Sequence, residues 1–92
     1  MIELTLYGRA DCELCREMED VIAEELARFP ARLEKIDIGG NAELEGRFGL
    51  EVPVLFVNGR KAFKYRCTAR ELHKRLAREV GPRWPFRKPT AS

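Results

Sequence analysis

The hydrophobic period of this chain changes from two to three-and-four within its first thirty residues. Ile2, Leu4 and Leu6 alternate with Glu3 and Thr5, the period of a half-buried strand. Gly8-Arg9-Ala10-Asp11 breaks that alternation, and Asp11 is a good helix N-cap. Leu14, Met18, Val21, Ile22, Leu26 and Phe29 then recur at three- and four-residue steps until Pro30, which predicts a helix over 12–29. Leu33, Ile36 and Ile38 suggest a second strand, ended by Gly39-Gly40. Strand, helix and strand in so short a stretch make a βαβ unit, with parallel strands and a right-handed crossover.

The second half adds a different ending. A short helix is expected from about Asn41 to Phe48, with Leu44 and Phe48 inward and Gly49 as its stop. Val54-Leu55-Phe56-Val57 is a continuous apolar run, as in a strand covered on both faces. Asn58-Gly59 is a strong hairpin signal, and Lys61 to Tyr65 reads as the return strand. Thr68-Ala69-Arg70-Glu71 is a capping box opening a last helix, with Leu72, Leu76 and Val80 as its buried stripe and Gly81-Pro82 as its end. The expected class is α/β: a mixed four-stranded sheet with helices on both faces. The expected division is one domain over 1–81 and a loose basic tail over 82–92, where prolines, Arg83, Arg87 and Lys88 accompany Trp84 and Phe86.

Composition narrows the setting. With 92 residues the chain has room for one domain. No stretch approaches the roughly 20 apolar residues of a membrane span, and the acidic Glu3 near the start argues against a signal peptide. Three cysteines are too few for a disulfide scaffold. The expected location is the cytoplasm, where a cysteine pair is more often catalytic or metal-binding than structural. Residues 1–51 hold 13 of the 15 acidic side chains and 6 of the 17 basic ones. Such asymmetry fits an anionic partner or simply two differently charged faces; we read it as the latter. The basic-aromatic tail is weak support for nucleic acid, so a monomer without membrane or nucleic-acid partners is expected.

The chemistry centres on Cys12-Glu13-Leu14-Cys15, where the first strand feeds the first helix. Two cysteines three residues apart at a helix start lie on one turn, and their sulfurs can meet. Cys12 lies nearest the unpaired N–H groups and the positive end of the helix dipole, which favour a thiolate. The thiolate is the nucleophile in disulfide exchange, with Cys15 as the resolving thiol. A zinc site of Cys12, Cys15, Cys67 and His73 is the sharper rival, although Cys67 and His73 straddle a helix cap. Cys67 reads as a part-buried small residue with a redox role as the alternative, and His73 as a boundary residue. In Glu51-Val52-Pro53-Val54, the proline starts a buried strand, and its X-Pro bond can be trans or cis.

Two segments carry a family likeness. Leu6-Tyr7-Gly8-Arg9-Ala10-Asp11-Cys12-Glu13-Leu14-Cys15 and Val52-Pro53-Val54-Leu55-Phe56-Val57-Asn58-Gly59 together resemble the glutaredoxin-like branch of the thioredoxin superfamily, over residues 1–80. The resemblance implies a thioredoxin-like fold and a thiol–disulfide oxidoreductase with catalytic Cys12 and Cys15. It implies that Pro53 is cis and lies against the cysteine pair, and that the Val52 backbone pairs with an extended substrate. No cofactor is held permanently; glutathione or a reductase recycles the pair, and the substrates are protein or glutathione disulfides. Arg9 stands where glutaredoxins often carry a basic residue, as an anion contact or a solvated charge. The chain also departs from the family. Glu13-Leu14 replaces Pro-Tyr, placing a carboxylate beside the nucleophile. Phe63-Lys64-Tyr65-Arg66-Cys67-Thr68 replaces the Gly-Gly and Asp that hold glutathione, leaving Thr68 to supply a hydroxyl. The alternative function is a non-catalytic binding module, or a metal or iron–sulfur carrier.

Overall fold

The structure, a computed structural model, describes residues 1–81. The expected basic tail over 82–92 lies outside the described residues. The order is β1 (Ile2–Gly8), α1 (Glu13–Leu26), β2 (Ala31–Asp37), α2 (Ala42–Phe48), β3 (Val54–Val57), β4 (Arg60–Lys64) and α3 (Ala69–Val80). The strands form one sheet in the order β2-β1-β3-β4. β1 runs parallel to β2 and antiparallel to β3, and β3 and β4 are antiparallel. The expected βαβ unit followed by a hairpin is therefore present.

Side chains alternate across a strand, so each strand serves two layers. Ile2, Leu4 and Leu6 of β1 join Leu55 and Val57 of β3, Met18 and Ile22 of α1, and Leu72 and Leu76 of α3 in the larger core. Tyr7, Val54 and Phe56, from the opposite phase of the same strands, pack with Ile38 and with Leu44 and Phe48 of α2. Helices thus cover both faces, α1 and α3 on one and α2 on the other. The two-sided burial of β3 accounts for its unbroken apolar run. Tyr7 stacks on Phe48 at 4.5 Å between ring centroids and meets Phe56 edge-on at 5.5 Å.

Several boundaries move from the sequence expectation. Helix α1 stops at Leu26 rather than Phe29, with Ala27 as its C-cap and a tightened last turn closed by Arg28 N–H on the Glu25 carbonyl. Pro30 instead leads into β2. The buried stripe of α1 runs Cys15, Met18, Ile22 and Glu25, so Leu14 and Val21 sit at its margin. Glu25 is buried and accepts a hydrogen bond from, or donates one to, His73 Nδ1 of α3 at 2.9 Å, according to protonation. A buried carboxylate needs such a partner. Gly49 follows α2 with helical dihedrals, not the left-handed ones of a glycine stop. Its requirement is space: a Cβ there would lie 2.5 Å from the Glu45 carbonyl oxygen and 3.2 Å from Arg9 Nη2. The hairpin at Asn58 and Gly59 takes positive φ at both residues, as its sequence demands. β4 begins at Arg60 and ends at Lys64, one residue earlier than expected at each end, with a register shift between Leu55 and Phe56.

Candidate active site

Strand β1 ends at Gly8, and the chain crosses a short turn to the first residue of α1. The N-cap is Cys12, not Asp11: Cys12 has extended dihedrals, and its Sγ accepts from the Cys15 N–H at 3.1 Å. A sulfur therefore takes the place of the usual capping oxygen. Cys12 and Cys15 are joined by a disulfide, with their Cα atoms 5.1 Å apart. Cys15 is 2% exposed, whereas Cys12 is half-buried. Cys12 is thus the more exposed residue of the pair and Cys15 the buried one.

Gly8 has a role that strand-breaking alone does not convey. A Cβ there would sit 3.0 Å from Cys15 Sγ, so the absent side chain is what lets the buried sulfur lie against β1. Tyr7 pairs with Val54 across β1 and β3, which places Gly8 and Pro53 at the same end of these neighbouring strands. The cysteine turn and the Val52–Pro53 bend therefore leave the sheet side by side. The Val52–Pro53 bond is cis, and Pro53 is fully buried.

Arg9 is engaged within the protein. Its Nη1 donates to both carboxylate oxygens of Glu45, at 2.9 and 2.6 Å, and its Nη2 donates to the Gly49 carbonyl at 2.9 Å. The Glu45 carboxylate beside it holds the guanidinium above its ordinary pKa. The fork joins the turn before Cys12 to the C-terminal end of α2. Sequence spacing gave no sign of this partner, 36 residues away.

Thr68 is the N-cap of α3: its Oγ1 accepts from Glu71 N–H at 3.0 Å, and the Glu71 carboxylate accepts from Thr68 N–H at 2.9 Å. A groove of about 240 Å³ runs from Leu14, between the cysteines, along Met18 to Cys67 and Thr68. Thr68 thus shares this groove with Leu14, the residue between the two cysteines in sequence. Cys67 is 8% exposed, and burial pushes its thiol up to about 11, with the Glu71 carboxylate adding to the shift. The zinc set of Cys12, Cys15, Cys67 and His73 is not assembled: among the described residues no group of three or more His, Cys, Asp or Glu is arranged to hold a metal ion. Nor is any described helix long and apolar enough to cross a membrane.

The stretch that replaces the glutaredoxin glycines contains a backbone feature of its own. Tyr65 has φ 68°, and Arg66 N–H donates to the Lys64 carbonyl at 2.8 Å. The three residues form a γ-turn of the rarer, strained hand. Nothing in the residue type announced it, since tyrosine seldom takes a positive φ.

A four-stranded β2-β1-β3-β4 sheet, a Cys-x-x-Cys disulfide at the start of the first helix and a cis-proline bend beside it define a thioredoxin-fold protein. The chain matches the model of the glutaredoxin-like domain (DUF836) over residues 3–77, and it belongs to that family. It is similar to a structural-genomics target protein from X. campestris solved by X-ray crystallography, with 34% identity and a TM-score of 0.70 over 86% of this chain and 99% of that one. A protein from Nitrosomonas europaea solved by NMR is similar at 29% identity and a TM-score of 0.71, over 83% of this chain and 92% of that one. Desulfothioredoxin from Desulfovibrio vulgaris Hildenborough, in its reduced form, is similar at 28% identity and a TM-score of 0.62, over 82% of this chain and 77% of that one.

Proposed function

We propose that the protein is a thiol–disulfide oxidoreductase in which Cys12 is the nucleophile and Cys15 the resolving thiol. The observation that carries this reading is the unequal pair: a half-buried Cys12 at the helix N-cap bonded to a Cys15 that is 2% exposed. In the reduced protein the first-turn N–H groups of α1 and its dipole favour the Cys12 thiolate. That thiolate attacks one sulfur of a substrate disulfide. The substrate S–S bond breaks, a Cys12–substrate disulfide forms, and the first substrate sulfur leaves as a thiolate that takes a proton from solvent. Cys15, deprotonated, then attacks Cys12 Sγ. The Cys12–Cys15 bond re-forms, the second substrate thiol leaves, and two electrons have passed from protein to substrate. A reductase or glutathione returns the pair to the dithiol.

The bend at Val52 and Pro53 supplies the substrate platform, with the Val52 backbone pairing to an extended segment as an added strand. Thr68 borders the groove beside Leu14 and offers its hydroxyl hydrogen there, its oxygen being engaged as the cap. Arg9 contributes by holding the turn before Cys12 against α2, since its guanidinium is bound to Glu45 and Gly49. Protein disulfides are the better substrates and glutathione-mixed disulfides the poorer ones. The side chains of Phe63 and Lys64, in the stretch where glutaredoxins carry a glycine pair, support this preference, since they occupy space that glycine leaves open.

The test is a trap. Cys15→Ser, reduced and mixed with a disulfide-bonded peptide, should accumulate a covalent adduct at Cys12 that mass spectrometry locates and dithiothreitol releases. Failure of both peptide and glutathione disulfides to form that adduct would refute the assignment and leave a binding or carrier module.

A further inference from the structure

The platform assigned to the substrate is tied to the hairpin by one residue that the exchange chemistry does not use. Tyr65 follows β4 and reaches back over the loop that enters β3. Its backbone N–H donates to the Pro53 carbonyl at 2.9 Å, and its phenol O–H donates to the Leu50 carbonyl at 3.1 Å. Those two acceptors bracket Glu51 and Val52. The strained turn is what allows both contacts, because it directs the amide and the side chain of a single residue toward one loop. A glycine would take φ 68° without steric cost, so what tyrosine adds at this position is its side chain.

Elsewhere the loop is held by the buried Pro53, by Val52 packed on the smaller core and by Glu51 N–H on the Phe48 carbonyl. Leu50 is 92% exposed and has no place in either core. Glu51 receives Lys61 Nζ at 2.5 Å and Lys64 Nζ at 3.8 Å, both from β4. Lys64 also lies 5.4 Å from the centre of the Tyr65 ring. These ion pairs act on the Glu51 side chain, whereas the Tyr65 contacts act on the loop's backbone carbonyls; Tyr65 is itself 43% exposed. The phenol is the neutral, directional contact among them.

We propose that Tyr65 is a positioning residue for the substrate platform: by bonding Leu50 and Pro53 at once, it holds the Val52 backbone in the placement that an extended peptide disulfide requires. The inference rests on the oxidoreductase reading for its kinetic consequence. Its physical content, an ordered 50–53 loop, stands apart from catalysis.

The experiment compares wild type, Tyr65→Phe and Tyr65→Gly on two substrates. One is a linear peptide joined through a disulfide; the other is bis(2-hydroxyethyl) disulfide, which has no peptide backbone to pair. The ratio of kcat/KM between peptide and small disulfide should fall about threefold in Tyr65→Phe and about tenfold in Tyr65→Gly, through KM. The midpoint potential of the cysteine pair should not move. Equal losses on both substrates, or no loss on either, overturn the proposal, since a purely structural role does not distinguish them. Amide exchange provides the second measurement. Glu51 N–H, which donates to the Phe48 carbonyl at 2.8 Å, should exchange about threefold faster in Tyr65→Phe while Leu55 in the core does not change. An unchanged Glu51 rate overturns the clamp whatever the activity. A wild type that reduces neither substrate overturns the oxidoreductase reading instead, and the exchange rate alone then decides whether the clamp exists.

Discussion

Helices α1 and α3 lie on the same face of the sheet and open on the same local geometry. Each begins with an extended residue whose side chain accepts the N–H three residues on: Cys12 from Cys15 at 3.1 Å, and Thr68 from Glu71 at 3.0 Å. The difference is the capping atom and whether the contact is returned. Glu71 reaches back to the Thr68 N–H and closes the box. In α1 the residue at that place is Cys15, which has no oxygen to return and instead forms a covalent bond to the cap. A saturated cap is a structural device. On the proposed oxidoreductase reading a sulfur cap leaves its helix end, attacks and comes back, so the same backbone arrangement serves reactivity at the start of α1 and rigidity at the start of α3.

The largest expected effect comes from replacing the sulfur with the better capping atom. Cys12→Ser should cut disulfide reduction by roughly 10³-fold or more, because the nucleophile is gone. In the reduced proteins its thermal stability should match or exceed that of wild type, since a hydroxyl caps a helix well. Reduction of a peptide disulfide and a melting curve check both halves. Loss of stability along with activity would show that the sulfur is needed as a cap and would dissolve the contrast.

Cys67, immediately before the Thr68 cap, tests whether nearness to a helix start is enough. Its thiol is raised to about 11 by burial, so its thiolate fraction near neutrality is about 100-fold below that of an ordinary thiol. Iodoacetamide should modify reduced Cys12 and leave Cys67 unmodified in the folded protein, as peptide mapping would report. The linkage has a definite sign. The folded-state value lies above the ordinary 9.0, so the stabilisation is complete below pH 9 and is lost as pH rises from about 9 to 11. Cys67→Ala should flatten that decline in a denaturation series. Rapid labelling of Cys67 at pH 7 would contradict its burial.

Thr68→Ala removes one half of the closed box and should cost about 1 kcal/mol. For a domain of this size that is a fall in Tm of about 4–8 °C. Peptide-disulfide turnover measured well below the melting range should fall far less than in Cys12→Ser, because only a hydroxyl contact beside the groove is lost. If Thr68→Ala instead abolished turnover at unchanged stability, the cap of α3 would belong to the chemistry, and the two helix starts would be functionally alike.

How much of this was legible in the sequence follows from the range of each interaction. The capping box, the Asn58-Gly59 turn, the two-sided β3 strand and the cysteine pair are written within a few adjacent residues, and local sterics decide them. The partners of Arg9, Glu25 and Tyr65 are not written locally. Arg9 finds Glu45 and Gly49 only because α2 crosses beneath the turn, and Glu25 is buried against His73 because α1 and α3 pack together. The stripe expected for α1 and the observed one share Met18 and Ile22 and differ at Leu14 and Val21, which stand at its margin. A cysteine and a paired glutamate occupy buried positions that hydrophobic counting leaves blank. Tyr65 was hidden for a different reason: its left-handed turn goes against residue preference, and only the bonds it makes to Leu50 and Pro53 explain its residue type.

The smallest effect concerns the acidic residue inside the cysteine motif. A carboxylate one residue from Cys12 opposes its thiolate, but Glu13 is exposed and its Oε1 lies 2.8 Å from Arg16 Nη2. Most of its field is therefore offset within the same helical turn and screened by solvent. Glu13→Gln removes the carboxylate and leaves Arg16 unpaired near the helix start. Both changes favour the thiolate, so the sign of the effect is fixed even though its size is modest. In reduced protein near neutral pH, alkylation of Cys12 should speed up by about twofold at low salt, and the gain should shrink toward nothing near 1 M salt. Glu71→Gln, in the first turn of α3, should leave Cys12 alkylation unaltered while weakening the Thr68 box. A slower Cys12 in Glu13→Gln would mean that Glu13 helps the nucleophile, by a contact to the reduced sulfur that replaces the disulfide, and the sulfur cap would then have its own returning partner after all.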